Sequence, residues 1–163
     1  MGRSIEITYR SIGVLHTPFV ELAQMPIQPG GESSAAGYAE IFPEYAEGLA
    51  DIDGFSHLIL LYHLHKVTAC RLRVVPFLDS QERGLFSTRA PVRPNPIGIS
   101  IVELTGVRAN RLHFARLDVL DGTPLLDVKP YIPDFDAPTA VRTGWYELAS
   151  GSVRTARSDD RFA

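Results

Sequence analysis

Residues 88 to 100 read TRAPVRPNPIGIS, with prolines at Pro91, Pro94 and Pro96. Each proline fixes its own φ at about −65° and pushes the residue before it toward extended geometry. Ala90, Arg93 and Asn95 are therefore biased to β or polyproline II, and no helix can run through the stretch. The prolines remove N–H donors but keep their carbonyls. The result is a stiff rod presenting acceptors and two arginines, Arg89 and Arg93, about 12 Å apart at the polyproline rise. It runs straight into an alternating stretch, with Ile97, Ile99 and Ile101 on one face and Gly98 and Ser100 on the other. The small residues leave that second face nearly bare, so a flat ligand or another backbone can approach it. Asn95, between two prolines, carries the segment's most closely fixed hydrogen-bonding group, both donor and acceptor. The same residues also suit a rigid inter-strand loop with its arginines in solvent. PVRP fits the PxxP pattern bound by SH3-like modules as well, although a rod that continues into a core strand is poorly placed to be a free ligand.

The remaining segments are also mostly strand-like. IEITY alternates, and SIGVLHT forms a second run ended by Pro18. Residues 23–38 hold Pro26, Pro29, Gly30, Gly31 and Gly37, and so read as a long irregular loop. PEYAEGLADI is the one convincing helix, with Pro43 in its first turn and Glu44 and Glu47 near its positive end. FSHLILLYHLHKV is apolar on both faces and reads as a central strand covered on both sides. CRLRVVPF and GLFSTR are further strands. In IGISIVELTGV the phase slips at Val102 and Glu103, which predicts a bulge. RLHFARLDVL and PLLDVKPYI flank the turn signal DGT. Many short strands with one or two short helices predict a mainly β, single-domain barrel or sandwich over residues 1–163, ending in a mixed tail from residue 138.

Composition narrows the function classes. A length of 163 residues fits one domain able to bury its own core. The net charge of −3 and pI near 5.9 argue against a broadly basic nucleic-acid surface. Cys70 is the only cysteine, so no disulfide or paired-cysteine metal site forms within the chain, as suits a reducing cytoplasm. The N-terminus lacks a signal-peptide apolar run, and the longest apolar run, Leu58 to Tyr62, is too short to span a bilayer. Dinucleotide, Walker A and nucleophile-elbow motifs are all missing from the sequence.

Three other stretches carry possible chemistry. His63 and His65 share a strand face at metal-ligand spacing, while His57 lies about 20 Å along the same face. A third ligand would have to come from His16, His113 or a carboxylate, and hydrogen-bonded strand-end histidines explain the pattern equally. LDVLDGTPLLDVKPY carries Asp118, Asp121 and Asp127. It can be a plain turn, or a rim where carboxylates accept from an amine or a ribose hydroxyl beside Lys129 and Tyr131. QPG, at Gln28 to Gly30, offers an amide and open backbone, or simply turns the chain.

In their order, IGVLHTPF, QPG, IDGFSHLILL, GLFSTRAPVRPNPIGISIVEL and LDVLDGTPLLDVKPY resemble the TsaA-like (TrmO) family. Its characterised members are tRNA N6-threonylcarbamoyladenosine methyltransferases. The resemblance runs from about Ile12 to Tyr131. It implies a cytoplasmic β-barrel homodimer that uses S-adenosyl-L-methionine, with cofactor sites near the subunit interface. The methyl group goes to N6 of the modified adenosine beside the tRNA anticodon. By motif match, cofactor contacts fall on Gln28, Pro29, Gly30, Leu64, His65, Arg89, Leu117 and Asp118. The substrate wall falls on Arg93, Pro94, Pro96, Ile97, Gly98, Ser100, Asp121, Thr123, Lys129 and Tyr131. Under this reading Asn95 and neighbouring carbonyls hold the N6 group, and Arg89 and Arg93 meet carboxylate or phosphate. Ala90 replaces a serine common in relatives, and the extra C-terminal domain of longer bacterial members is absent from this sequence. Two alternatives remain open: a sensor that binds the cofactor without transferring its methyl group, and a metal-dependent barrel enzyme using His63 and His65.

Overall fold

The structure is a computed structural model that describes residues 5–22 and 35–148. Its strands are β1 (Gly13–His16), β2 (Ala35–Ile41), β3 (His57–His63), β4 (Arg73–Val74), β5 (Arg83–Gly84), β6 (Ile97–Arg108), β7 (Arg111–Leu117) and β8 (Thr123–Pro130). Six of them close an antiparallel barrel in the order β1-β2-β7-β6-β3-β8, and β4 and β5 form a separate two-stranded sheet. Closure removes every edge from the main sheet. Alternate residues fill the interior: Leu15, Ala39, Ile41, Leu58, Leu60, Val102, Leu112, Phe114, Leu117 and Leu125 are buried together. Gly13 lets β1 and β2 approach closely, because a Cβ there would meet the Glu40 carbonyl. No helix among the described residues is long and apolar enough to cross a membrane.

Several local expectations need correction. IEITY forms no strand: Ile5, Ile7 and Tyr9 are 85%, 67% and 69% exposed, and alternation without a partner strand buries nothing. PEYAEGLADI is not an α-helix but two 3₁₀ turns, Pro43–Leu49 and Ile52–Gly54, with no buried residue in either. Asp51, at φ 64°, separates them. Without an apolar stripe at helical spacing, nothing holds a longer α-helix there. The only α-helix among the described residues is the single turn α1 (Pro133–Asp136). β6 keeps its phase through Val102 and Glu103, and its bulge falls between Leu104 and Gly106. β3 is buried on one face only. Its outward Ile59 and Leu61 pair with Ile101 and Ile99 of β6, and Ile97, Ile99 and Ile101 remain 40%, 48% and 45% exposed.

The barrel has two distinct ends. His63 and Ile97 pair at one of them, and the Leu120–Thr123 turn between β7 and β8 closes beside β1 there. Lys129 pairs with Ile59, toward the other end. Outside the barrel, Val74, Leu85, Ala90 and Val92 form a small second core, with Val67 against it. That core anchors the proline-rich segment.

Candidate active site at one end of the barrel

The proline-rich segment crosses the first barrel end, bonded mostly to itself and its neighbours. Arg93 N–H donates to the Pro91 carbonyl at 2.7 Å and Ile97 N–H to the Asn95 carbonyl at 2.8 Å. Arg71 N–H reaches the Val92 carbonyl at 3.0 Å, and Leu64 N–H reaches that of Pro96 at 2.8 Å. The Arg93 guanidinium donates to the carbonyls of Thr88 and Ala90 at 3.1 and 3.4 Å and lies over the Phe86 ring. The expected row of spare carbonyls therefore does not exist, because most are already occupied. Arg93 is an internal strap; what the segment offers outward is the exposed side chains of Arg89 and Asn95. Arg89 makes no hydrogen bond or ion pair among the described residues. Ala90 is 6% exposed and packs in the second core, which accounts for a small apolar residue there.

The Leu64–Pro96 bond ties this segment to the turn after β3. β3 ends at His63, so His63 and His65 do not share a strand face as the spacing predicts. Among the described residues no group of three or more His, Cys, Asp or Glu side chains gathers to hold a metal. Burial holds the His65 imidazole below the usual histidine range, with Lys66 and His63 adding to the effect.

Facing the segment, inside the barrel mouth, is a polar chain. The Tyr62 hydroxyl lies 2.9 Å from Ser100 Oγ, which donates to Asp118 Oδ1 at 3.1 Å. Continuing the Leu104–Phe114 register of β6 and β7 sets Ser100 opposite Asp118. Asp118 is 8% exposed and Ser100 1%. Burial pushes the Asp118 carboxyl up to about 6, partly offset by the Ser100 hydrogen bond. Burial, then the nearby Asp118 charge, pushes the Tyr62 hydroxyl well above its ordinary range, while Ser100 and Arg89 act the other way. Gly98 is required here, since a Cβ would drive into the Tyr62 ring. The bare strand face thus receives a side chain of the neighbouring strand. Tyr62 and Ser100 were not linked by sequence reasoning. The available signal was a buried tyrosine on one strand facing two small residues on another.

The other expected residues divide by location. Leu117 is fully buried, so only its backbone can meet a ligand. Asp121 accepts from Thr17 N–H at 3.1 Å and lies 3.3 Å from His16 Nδ1. The Thr123 hydroxyl donates to the Leu120 carbonyl at 2.6 Å. Both therefore serve the turn, in which Gly122 has φ 78°. Lys129 pairs with Asp127 at 2.8 Å on the exposed surface, and Tyr131 packs edge-on against His57. Lys129 pairs with Ile59 while Ile97 pairs with His63, which sets Lys129 about 13 Å along the barrel from the proline segment. Gln28, Pro29 and Gly30 lie outside the described residues. A groove of about 330 Å³ between Phe77, Asp79, Arg83 and Trp145 brings none of the candidate residues together.

A family model described as the tRNA-methyltransferase O N-terminal domain matches residues 14–137. The chain belongs to the TrmO family. A Pyrococcus abyssi relative described as a probable S-adenosyl-L-methionine-binding protein is 49% identical over 156 residues, covering 96% of this chain and 85% of that one. The tRNA (adenine(37)-N6)-methyltransferase of Escherichia coli is 38% identical over 135 residues, 77% of this chain. The crystal structure of TrmO from Pseudomonas aeruginosa superposes with a TM-score of 0.72 at 36% identity, covering 86% of this chain. This chain spans 57% of the E. coli enzyme and 63% of the P. aeruginosa chain. The TrmO match runs from β1 through α1, so it includes the proline-rich segment, the turn after β3 and the Asp118 loop.

Proposed function

We propose that this chain is an S-adenosyl-L-methionine-dependent methyltransferase acting on N6 of threonylcarbamoyladenosine beside the tRNA anticodon. The observation that carries the reading is the convergence, at one barrel end, of Arg89 and Asn95, the turn at Leu64 and His65, and the buried Asp118. The Leu64–Pro96 hydrogen bond joins the first two directly. The E. coli relative's name supplies the reaction class.

The donor set suits this cofactor. A carboxylate within a barrel mouth favours a cationic group, and an exposed arginine with no hydrogen-bond or ion-pair partner among the described residues suits a carboxylate or phosphate. Arg89, Leu64, His65, the backbone at Leu117 and the Gln28–Gly30 segment would hold the cofactor, which supplies an electrophilic methyl on a positively charged sulfur. The chain's part is alignment: an in-line displacement is accelerated chiefly by fixed geometry, and the proline segment, strapped by Arg93, is fixed. Asn95 would hold the acceptor nitrogen through its amide oxygen. The neutral His65 ring leaves cationic charge near the site to Arg89.

A homodimer belongs to the same reading. Ile97, Ile99 and Ile101, with Ile59 and Leu61 beside them, form an exposed apolar stripe on the outer barrel wall next to the site. An isologous contact would cover it. A cytoplasmic location goes with a tRNA substrate.

The second reading, a cofactor-binding sensor without transfer, is favoured by the description of the P. abyssi relative. Calorimetry with the cofactor and labelled methyl transfer to bulk tRNA separate the two. Binding together with labelled tRNA supports the methyltransferase; tight binding with unlabelled tRNA supports the sensor.

A further inference from the structure

The chain Tyr62–Ser100–Asp118 has a fixed direction. An ionised carboxylate has no proton to give, so Ser100 donates to Asp118 Oδ1. Ser100 has one hydroxyl proton, so its oxygen must accept from the Tyr62 hydroxyl at 2.9 Å. Both hydroxyl protons therefore point toward Asp118. Oδ1 is engaged, and no side chain among the described residues donates to Oδ2. The arrangement is built from three places in the fold: β3, β6 and the residue after β7. Gly98 is kept bare to admit the Tyr62 ring. The carboxylate's other hydrogen bond is from its own backbone N–H; a buried carboxylate with a single side-chain donor is unusual for a purely structural group, because burying a charge is costly.

Resting on the methyl-transfer reading above, we propose that Asp118 is the proton acceptor of that reaction, with Ser100 and Tyr62 as the positioning residues that hold it. An N–H nitrogen that gains a methyl group must lose its proton to finish neutral. The nitrogen–hydrogen bond breaks, its electron pair stays on nitrogen, and the proton bonds to Asp118 Oδ2, which becomes a neutral carboxyl. The new nitrogen–carbon bond replaces the cofactor's carbon–sulfur bond, whose pair goes to sulfur. One positive and one negative charge are thereby lost together. A carboxyl pushed up to about 6 is ionised at neutral pH yet far more basic than an ordinary aspartate. The raised Tyr62 hydroxyl stays protonated and keeps donating. The ionisable groups at this end of the barrel include Tyr62 and His63 of β3, His65 and Lys66 in the turn after it, Arg89 and Arg93 of the proline segment, and His16 and Asp121 beside the β7–β8 turn.

The test has two arms. In the protein alone, infrared spectroscopy across pH follows the carboxyl band, which imidazole titration does not contribute to. A buried carboxyl should titrate near pH 6, disappear in Asp118→Asn, and move to higher pH in Ser100→Ala, which removes the bond that holds it down. With cofactor and tRNA, the transfer rate of the wild type should rise through the same pH. Asp118→Asn should lose about 100-fold or more in rate, far more than any loss in cofactor affinity, and Ser100→Ala should shift the acidic limb upward. A carboxyl titrating in the ordinary aspartate range, transfer retained in Asp118→Asn, or cofactor affinity falling in step with rate would each overturn the assignment. Absence of transfer by the wild type, with cofactor bound, would sink the functional reading and this inference with it.

Discussion

At the scale of single residues, Asp118 couples the site to stability. Its carboxyl is raised from 3.8 to about 6, mainly by burial. Between those values the folded protein binds more protons than the unfolded chain, so stability falls as pH rises. The stabilisation is complete below pH 4 and is lost through pH 6, a change on the order of 3 kcal/mol. Asp118→Asn should therefore be more stable than the wild type at pH 7, with a flatter profile between pH 4 and 7. Urea denaturation at several pH values checks this, and an unchanged slope would contradict it. Gly98→Ala should be severe for its size. The Tyr62 ring cannot retreat while its hydroxyl is held by Ser100, so about 1–3 kcal/mol should be lost in thermal unfolding. Asp118 and Gly98 were both visible in the sequence as motif positions. What they do was not, because it depends on Tyr62, a residue from a strand that the sequence does not pair with either.

At the scale of elements, the proline-rich segment was legible as stiff but not in how its polar groups are used. Prolines can be counted, whereas hydrogen bonds between Leu64 and Pro96 or Arg71 and Val92 depend on tertiary contact. Arg93 shows the consequence. Its residue type suggests an anion-binding group, but the fold uses its guanidinium on Thr88 and Ala90 carbonyls. Arg93→Ala should destabilise the protein by about 1–2 kcal/mol, the loss expected for charged hydrogen bonds at a half-buried site, and loosen the segment that carries Arg89 and Asn95. Thermal unfolding measures the first effect and labelled transfer the second. Stability equal to the wild type would return Arg93 to a solvent or ligand role. The misread helix at residues 43–52 has a related cause. Proline and glutamates favour a helix start locally, but a short segment persists as α-helix only when a stripe of it is buried, and these turns bury no residue fully.

At the scale of the whole molecule, many short strand-like segments were enough to predict a barrel or sandwich, since a sheet with one apolar face must curl or stack to bury it. Which face of β6 turned inward was not predictable from hydrophobicity, because its isoleucines face out and Gly98, Ser100 and Val102 face in. The interior position goes to the residues that contact Tyr62 and Asp118, and the isoleucine stripe is left for a partner surface. If that partner is a second copy, Ile99→Glu should convert dimer to monomer in sedimentation equilibrium while leaving the barrel's circular dichroism unchanged. A wild-type protein that is monomeric at high concentration would refute the dimer.

The most direct measurement is nucleoside mass spectrometry of tRNA incubated with the purified protein and S-adenosyl-L-methionine. The reading predicts that threonylcarbamoyladenosine is converted to its N6-methyl form, and that tRNA lacking the threonylcarbamoyl group is left unchanged. Tight cofactor binding with no methylated nucleoside from either tRNA would contradict it.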